Sequence, residues 1–174
     1  MSSDRRPSVD DQTLRLRQIL DSSPALIHTA TPDGYLDFFN RTWCEFLGKS
    51  VEELYGWKWT SYVHPDDIGA LLEKWRESIA TGNPLEAEAR VRRADGEFRW
   101  MLHQKIPQHD ADGVIIGWHG ASVDIESRKQ AEDSLRKNIE ELHANKYFLA
   151  QAQRFGQMGS WSFDPAKGFD QLVA

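Results

Sequence analysis

The chain has 174 residues, of which 40% are hydrophobic and 28% charged, and its formal net charge is −6. This balance is typical of a globular protein of one domain or slightly more, and it excludes disorder throughout. The acidic excess argues against nucleic acid or an anionic membrane as a partner. With no apolar N-terminal segment, no membrane-spanning run and Cys44 as the lone cysteine, we expect a cytoplasmic protein without membrane insertion, disulfide or cysteine-rich zinc site.

The N-terminal part of the chain predicts one helix and a hairpin of two strands. Residues 1–12 are polar and are expected to be disordered. Residues 13–22 carry apolar side chains at the spacing of an amphipathic helix, which we expect to flank the domain. A turn that contains proline and glycine then separates the apolar run 25–30 from the aromatic segment 35–39, a pattern typical of a β-hairpin.

Several helices are predicted next. Asn40 is a good N-cap for a helix over 41–47, and Ser50 begins a capping-box sequence for a second short helix. The clearest helix begins at Pro65, where a missing N–H has no cost and acidic residues complement the positive end of the helix dipole. Its apolar stripe continues until the helix ends near Gly82.

Three strands complete the predicted domain. Residues 84–93 alternate between apolar and charged side chains, and residues 98–106 and 114–123 form two further strands joined by Asp-Gly turns. Two strands, several helices and a three-stranded meander together indicate an α+β domain with an antiparallel sheet.

The alternation along the last two strands predicts which side chains face the core. We assign the bulkier set on each strand to the inside, which selects Phe98, Trp100, Leu102, Gln104 and Ile106 on one strand and Val114, Ile116, Trp118 and Ser122 on the other. Polar His28, Gln104 and Ser122 would then lie among apolar residues, as in a ligand pocket. The alternative is a packed core in which these polar groups satisfy one another or a buried water. The candidate pocket residues are His28, Trp43, Tyr62, Trp100, Gln104, Trp118 and Ser122.

The opposite face of the sheet and the N-terminal helix predict a parallel homodimer. An apolar outer face is a plausible association surface, and the helix over 13–22 needs a surface on which to bury its apolar stripe. The candidate dimer residues are Leu14, Ile19, Leu20, Met101, Ile115, Ala121 and Val123.

A long helix is predicted from residue 124 to about residue 154, because neither proline nor glycine interrupts this segment. Five of its eight heptad seam positions are apolar and the other three are charged, so both a weak two-stranded coiled coil and a solvated linker helix are consistent with the pattern. Asp124, Ile125 and Arg128, where the last strand meets this helix, are the candidate signal-transfer residues. Residues 159–170 repeat the pattern of residues 26–37, which predicts that a second, truncated domain begins at 156–174.

No catalytic motif is present in the sequence. It lacks the phosphate-binding, dinucleotide-binding, zinc-protease, serine-hydrolase and kinase signatures, so we predict that this fragment is not an enzyme, although a longer parent protein could be a kinase or a cyclase. His64, Asp66 and Asp67 form the one local cluster with metal-type residues, and helix capping explains that cluster better than metal-assisted catalysis. No metal site is predicted.

Motifs distributed along residues 22–129 resemble the PAS sensor family with its attached C-terminal motif. The matching segments are Asp33-Gly34, Phe39-Asn40, Phe46-Leu47-Gly48, Gly56-Trp57, His64-Pro65-Asp66-Asp67, the run from Glu88 to Trp100, and Gly120 to Lys129. The resemblance implies a five-stranded antiparallel sheet of order 2-1-5-4-3 with short helices on one face, and it places the PAS domain at residues 23–124 and a signalling helix at 125–155.

The resemblance also implies a role. Family members act as sensory or dimerisation modules of multidomain signalling proteins, often bacterial histidine kinases or cyclic-dinucleotide enzymes. The flavin-binding members carry an N-C-R-F-L-Q segment that is absent here, and the haem-binding members carry a histidine on the long helix, where residues 68–81 have none. We therefore expect neither cofactor and leave an unidentified small molecule possible. The leading hypothesis is a noncatalytic sensor that signals through its C-terminal helix to a downstream effector in the same polypeptide, and the alternative is a pocketless PAS domain that only dimerises.

Overall fold

The computed structural model of the chain describes residues 8–157, of which residues 8–129 form one antiparallel sheet with flanking helices and residues 130–157 continue the last helix. In chain order the elements are α1 (Val9–Ser22), β1 (Leu26–Ala30), β2 (Leu36–Phe39), α2 (Arg41–Leu47), α3 (Val51–Leu54), a 3-10 helix (Lys58–Tyr62), α4 (Pro65–Thr81), β3 (Leu85–Arg92), β4 (Phe98–His109), β5 (Ile115–Asp124) and α5 (Glu126–Gln157). The sheet has five strands in the order β2-β1-β5-β4-β3. The α+β class and the strand order expected from the resemblance are therefore confirmed.

The core lies on one face of this sheet. The side chains at Leu85, Ala87, Ala89 and Val91 of β3 are buried, while those that alternate with them are exposed or half-buried. Trp75 of α4 packs against Trp118 of β5 with the two ring centroids 5.0 Å apart and nearly perpendicular. Large aromatic side chains from the helices thus cover the buried sheet face and supply much of the apolar area removed from water.

Helix α1 begins earlier than predicted. Ser8 and Asp11 form a capping box in which Asp11 N donates to Ser8 Oγ and Ser8 N donates to Asp11 Oδ2. Because this box satisfies the first free N–H groups, the helix starts at Val9, and the prediction of disorder through residue 12 is wrong for residues 9–12. The predicted second domain at 156–174 lies almost wholly outside the described residues.

The predicted faces of β4 are reversed in the structure. Met101, His103 and Lys105 are buried, whereas Gln104 and Ile106 are exposed on the opposite face. The bulk of the side chains is a poor guide here because Trp100 is sheltered on the outer face by Arg90 and Lys129, as described below. Met101 is therefore a core residue and cannot belong to the predicted dimer face.

The faces of β5 follow the prediction only in part. Trp118 and Ser122 point to the core as expected, but Val114 and Ile116 are exposed and Ile115 packs against the core. The register between β4 and β5 shifts between Gln108 and His109, which is a bulge-type irregularity. A single extra residue reverses the side-chain alternation beyond it, so Ile115 turns inward and leaves the predicted dimer face.

Among the described residues, no helix combines the length and the apolar character that a membrane span needs. The long helix α5 illustrates this, since its exposed apolar side chains alternate with many charged ones.

Asn40 connects the N-terminal part of the domain to the sheet. Its side chain is fully buried, with Oδ1 accepting from the backbone N–H groups of Ile27 and Trp43, and Nδ2 donating to the carbonyls of Leu20 and Ala25. One amide therefore caps α2 and fixes β1 and the end of α1 at the same point.

Replacing Asn40 should destabilise the domain strongly. Asn40→Ala leaves two N–H groups and two carbonyls without this partner in a buried site, so we expect the free energy of unfolding to fall by about 3 kcal/mol. The exposed Asn83→Ala is the matched control and should change stability by less than about 0.5 kcal/mol. Urea denaturation measures both, and equal effects of the two substitutions would contradict the role assigned to Asn40.

Candidate functional site

A small cavity lies between the buried sheet face and the helical layer. The volume that the centre of a water-sized sphere can occupy is about 20 Å³, enough for about one ordered water or a very small ligand. Its walls are largely aromatic and aliphatic, with two histidines and one lysine among them. The lining residues are His28, Leu36, Phe39, Trp43, Leu47, Trp59, Tyr62, Val63, Leu71, Trp75, Leu85, Val91, His103 and Lys105.

The sheet register places the basic residues of the cavity side by side. His28 on β1 pairs with Gly120 on β5, and Gly120 pairs with Lys105 on β4. Directly paired residues point to the same face of a sheet, so the absent side chain at Gly120 leaves room between the other two. A Cβ built at Gly120 would lie 2.1 Å from His28 Nε2, which shows that the imidazole occupies that room.

One ring nitrogen of His28 has a hydrogen-bond partner, and the other has none among the described residues. Trp43 Nε1, which can only donate, is 3.3 Å from His28 Nδ1, so Nδ1 accepts and the neutral ring carries its proton on Nε2. Nε2 is buried and has no hydrogen-bond partner among the described residues. Burial, with the nearby Lys105 and His103, holds the pKa of His28 well below its ordinary 6.5, so the ring is neutral at pH 7.

His103 lies in the neighbouring row of the sheet. It pairs with Ser122 across β4 and β5, and its Nδ1 is 2.8 Å from Ser122 Oγ. Its Nε2, like that of His28, is buried without a hydrogen-bond partner within residues 8–157. Burial and the charge of Lys105 lower the pKa of His103 from 6.5 to about 3, so this ring is also neutral.

Lys105 brings a positive charge into this apolar cavity. Only 5% of the residue is exposed, and its Nζ lies 3.9 Å from the centroid of the Trp75 ring and 5.2 Å from that of Trp59. Within the described part of the chain no carboxylate forms a salt bridge with this lysine and none lines the cavity. Cation–π contacts compensate the ammonium only partly, and burial lowers the pKa of Lys105 from 10.5 to about 7.

Three buried side-chain nitrogens in the described residues lack a hydrogen-bond partner, and all three belong to residues that line this cavity. They are His28 Nε2, His103 Nε2 and Trp59 Nε1. Buried polar groups are nearly always paired, so three in one small space mark it as a place where a partner is missing. The indole nitrogen of Trp59 and Nε2 of His28 are donors, as is the ammonium of Lys105, and the cavity therefore presents mainly donors. Such a site can bind and orient a ligand.

The predicted pocket residues separate into three groups. His28, Trp43 and Tyr62 line the cavity, and Ser122 forms a hydrogen bond with His103, which also lines it. Trp118 is buried beside the cavity against Trp75, with Nε1 donating to the Pro32 carbonyl. The predictions for Trp100 and Gln104 are wrong in placement, because both lie on the outer face of β4.

Sequence reasoning missed the two residues that give the cavity its charge and polarity. The sequence pattern predicts that His103 and Lys105 lie outside, because the alternate side chains of the same strand have more apolar bulk. Trp59 was missed because the 3-10 helix that carries it has no periodicity to detect. The signal that could have found the first two is the pairing of β4 with β3, where Leu85 faces Lys105 and Ala87 faces His103.

The outer face of β4 is attached to the start of α5. Ile125 N donates to the Trp100 carbonyl at 2.8 Å, and Trp100 N donates to Glu126 Oε2 at 3.0 Å. The indole ring of Trp100 also lies under the ammonium of Lys129, 5.0 Å from its centroid. Ile125 is buried and Asp124 Oδ1 accepts from Glu126 N, so two of the three predicted signal-transfer residues lie at this junction.

Glu88 on β3 forms the second attachment. Its carboxylate binds both Arg128 and Lys129 of α5, and hydrogen bonds from these two side chains lower the pKa of Glu88 below its ordinary value. Arg128, the third predicted signal-transfer residue, is thus tied to the sheet. Three strands therefore meet the first turns of α5: β3 and β4 through side chains and backbone, and β5 through chain continuity.

The cluster around His64 has a structural role in the described residues. His64 Nδ1 accepts from Asp66 N and caps α4, as the sequence predicts. Asp67 binds Arg90 through both carboxylate oxygens and also accepts from the Arg90 backbone N–H. Nowhere within residues 8–157 does a group of three or more His, Cys, Asp or Glu side chains form an arrangement that could hold a metal ion.

The charge on Lys105 should cost stability in a pH-dependent manner. The pKa of Lys105 is about 7 in the folded protein and 10.5 in the unfolded chain. Between pH 7 and pH 10.5 the unfolded chain therefore binds more protons than the folded protein. The stability of the wild type consequently rises with pH over this range. We expect Lys105→Met to be more stable than wild type by on the order of 4 kcal/mol near pH 7, since one pKa unit corresponds to about 1.4 kcal/mol. This gain should shrink toward zero by about pH 10.5.

Urea denaturation at several pH values between 7 and 10.5 measures this difference. Lys74→Met is the matched control, because Lys74 is on the surface and its Nζ only contacts the Glu86 carbonyl at 3.4 Å. Its effect should be small and independent of pH. A gain for Lys105→Met that stays constant over the window would contradict a depressed pKa.

Comparison with known proteins agrees with this architecture. Residues 36–122 match the family model described as the PAS fold. The peroxide stress-activated histidine kinase mak1 of Schizosaccharomyces pombe is 31% identical over 123 residues, which are 70% of this chain and 7% of that protein. The C4-dicarboxylate transport sensor protein DctS of Rhodobacter capsulatus is 32% identical over 112 residues, 63% of this chain and 17% of that protein. The chain thus spans less than a fifth of the length of either relative.

Solved structures show the same fold. A sensory box histidine kinase/response regulator from Burkholderia thailandensis is 25% identical with a TM-score of 0.57, over 75% of this chain and 98% of that one. An RNA-binding light-oxygen-voltage receptor is 20% identical with a TM-score of 0.62, over 84% of this chain and 42% of that one. Because the matched family model covers half of the sequence and the strand order is that of the resemblance, the chain belongs to the PAS family.

Proposed function

We propose that residues 23–124 are a noncatalytic sensory module whose cavity state is passed through α5 to an effector domain of a longer polypeptide. One observation carries the proposal: β4, which holds His103 and Lys105 in the cavity, also holds the start of α5 through the backbone of Trp100. The PAS domains of sensor proteins that this chain resembles support the sensory class.

The path from cavity to helix is short. His103 and Lys105 lie on the inner face of β4, and the backbone of Trp100 on the same strand holds Ile125 and Glu126. Ser122, which contacts His103, lies two positions before the end of β5 at Asp124. A shift in either strand therefore changes the surroundings of the first turn of α5. A ligand biases the effector only if it binds the two arrangements with different affinity.

The effector is proposed from the relatives alone. Histidine kinases recur among them, so a kinase in a two-component system is our first expectation, with a cyclic-dinucleotide enzyme as the alternative. We place the module in the cytoplasm, since a lone cysteine suits a reducing compartment. We also propose that neither flavin nor haem is the ligand, because a cavity volume of about 20 Å³ favours a far smaller molecule.

The second candidate function, dimerisation, is favoured by apolar side chains that face solvent. Leu14 and Ile19 on α1 are exposed, as is Val123 on the outer sheet face, and α5 carries a stripe that includes Leu135, Ile139 and Leu142. Leu20 and Ala121 are half-buried, so five of the predicted dimer residues remain available after the loss of Met101 and Ile115. We propose a parallel homodimer in which α5 pairs as a weak coiled coil.

Amide hydrogen exchange tests the sensory proposal at Glu88. A compound found by a melting-temperature screen should slow or speed exchange at residues 125–130, and Glu88→Gln should at least halve that response by weakening the bonds to Arg128 and Lys129. Glu86→Gln is the control, since Glu86 lies on the same outer face but binds Gln104 rather than α5. A screen hit that raises the melting temperature without any change at 125–130 would favour a module that does not signal.

Sedimentation equilibrium tests the dimer. Leu142→Glu introduces a charge into the α5 stripe and should weaken dimerisation tenfold or more, whereas Ala144→Glu adds the same charge away from the stripe and should have little effect. A wild-type chain that is monomeric at tens of micromolar would refute the homodimer.

A further inference from the structure

The cavity between the sheet and the helices has more hydrogen-bond donors than acceptors among its lining side chains. Trp59 Nε1 and His28 Nε2 are buried donors without acceptors among residues 8–157, and Lys105 Nζ lies against the rings of Trp59 and Trp75. No aspartate or glutamate lines the cavity. The missing partner must therefore supply acceptor atoms.

The charge of the missing partner follows from Lys105. An ammonium that is 5% exposed between the rings of Trp59 and Trp75 is stabilised most by a single negative charge at hydrogen-bonding distance. A neutral ligand would leave that charge uncompensated, whereas a dianion would bury one charge in excess. His28 and His103 are neutral and add a donor and a polar nitrogen without a further positive charge.

The size and shape of the partner follow from the volume and from the spread of the donors. A volume of about 20 Å³ for the centre of a water-sized sphere holds one or two water molecules, so the partner is limited to very few non-hydrogen atoms. The donors come from β1, β4 and the 3-10 helix, so one acceptor atom cannot satisfy all of them well. A planar group with two or three oxygens offers an acceptor to each.

We propose that this cavity is a binding site for a small planar oxyanion of single negative charge, a carboxylate or an inorganic anion of nitrate type, held by Lys105, Trp59 and His28 with His103 beside it. This inference rests on the proposed function, because it names the ligand class of the same cavity. It makes the lysine a recognition residue, because an anion beside it would favour the ammonium form, whereas burial favours the neutral amine.

The indole N–H of Trp59 reports on binding directly. In ¹⁵N–¹H correlation spectra of the labelled full chain, the sodium salts of formate, acetate, nitrite, nitrate and chloride are titrated at constant ionic strength. Sodium gluconate keeps the ionic strength constant, because that anion is too large for the cavity. Trp59→Phe assigns the indole signal. Formamide and acetamide are the neutral controls, and they match the two carboxylates in shape.

At least one planar oxyanion should shift the Trp59 signal to saturation, and formamide and acetamide should not. Lys105→Met should weaken that binding tenfold or more, while Lys74→Met should leave it within about twofold. A response to formate and acetate but not to nitrite and nitrate identifies the carboxylate class, and the reverse identifies the inorganic class. Melting of Lys105→Met in the same buffer confirms that the variant is folded.

The proposal is overturned if no oxyanion gives a saturable shift up to about 100 mM, if chloride binds more tightly than every oxyanion, if the amides bind as well as the carboxylates, or if folded Lys105→Met binds as the wild type does. Amide exchange at residues 125–130 is followed in the same samples. Saturable binding with no change there supports the anion site and refutes the signalling role. Absence of binding refutes the anion site alone.

Discussion

The ammonium of Lys105 is the group around which the rest of the cavity is arranged. A lysine enclosed by Trp59, Trp75 and Leu85 loses most of its hydration. Cation–π contacts with the two indole rings compensate only part of the lost hydration energy. The other ionisable groups near it respond to the same constraint. His28 and His103 remain neutral mainly because burial lowers the pKa of each ring, and the charge of Lys105 lowers both further. The cavity thus contains one charge and several neutral donors.

The sheet produces this arrangement through one missing side chain. Gly120 stands between His28 and Lys105 in a row of three paired residues, and any side chain there would collide with the imidazole. The same strand supplies Ser122 to His103 in the next row. Since paired residues on neighbouring strands are held by backbone hydrogen bonds, the relative positions of the polar groups are fixed by the strand register rather than by flexible loops. The side chains of the proposed binding site are therefore held at defined positions relative to one another.

Much of the fold is readable from the sequence, because caps and alternation are local. The limits of α2 agree with the cap at Asn40 and the left-handed Gly48, and α4 begins at Pro65 as its first-turn residues require. The strand order is not a local property, and it came from the family resemblance. The start of α1 was misplaced because the Ser8–Asp11 capping box lies in a segment whose composition alone suggests disorder.

The cavity was less predictable for a specific reason. Side-chain bulk predicts the wrong inner face for β4, because the outer face of that strand is itself covered near Trp100 by Arg90 and Lys129. The register of the β3–β4 hairpin determines which side chains of β4 face the core. Leu85 and Ala87 alternate clearly with charged residues, so they are inside, and their partners across the hairpin must be inside with them. The Asp95-Gly96 turn fixes those partners as Lys105 and His103, a deduction that needs two strands and a turn together.

In the proposed function, the position of β4 lets one strand belong both to the cavity and to the attachment of α5. Successive side chains of a strand point to opposite faces, so the inner residues Met101, His103 and Lys105 and the outer residue Trp100 share one backbone while lying in different surroundings. Trp100 is bonded to α5 through its own N–H and carbonyl, and a strand cannot slide or tilt without moving both groups together. An acceptor that moves the Lys105 ammonium away from Trp75 would displace β4 from its inner face. The same displacement would move the backbone of Trp100, which is bonded to α5 on the outer face. Glu88 on β3, which holds Arg128 and Lys129, makes the response depend on the relative position of two strands rather than on one. This geometry favours a two-state change at the base of α5 over a gradual one, because the backbone bonds and the paired charges at the junction are either in register or broken.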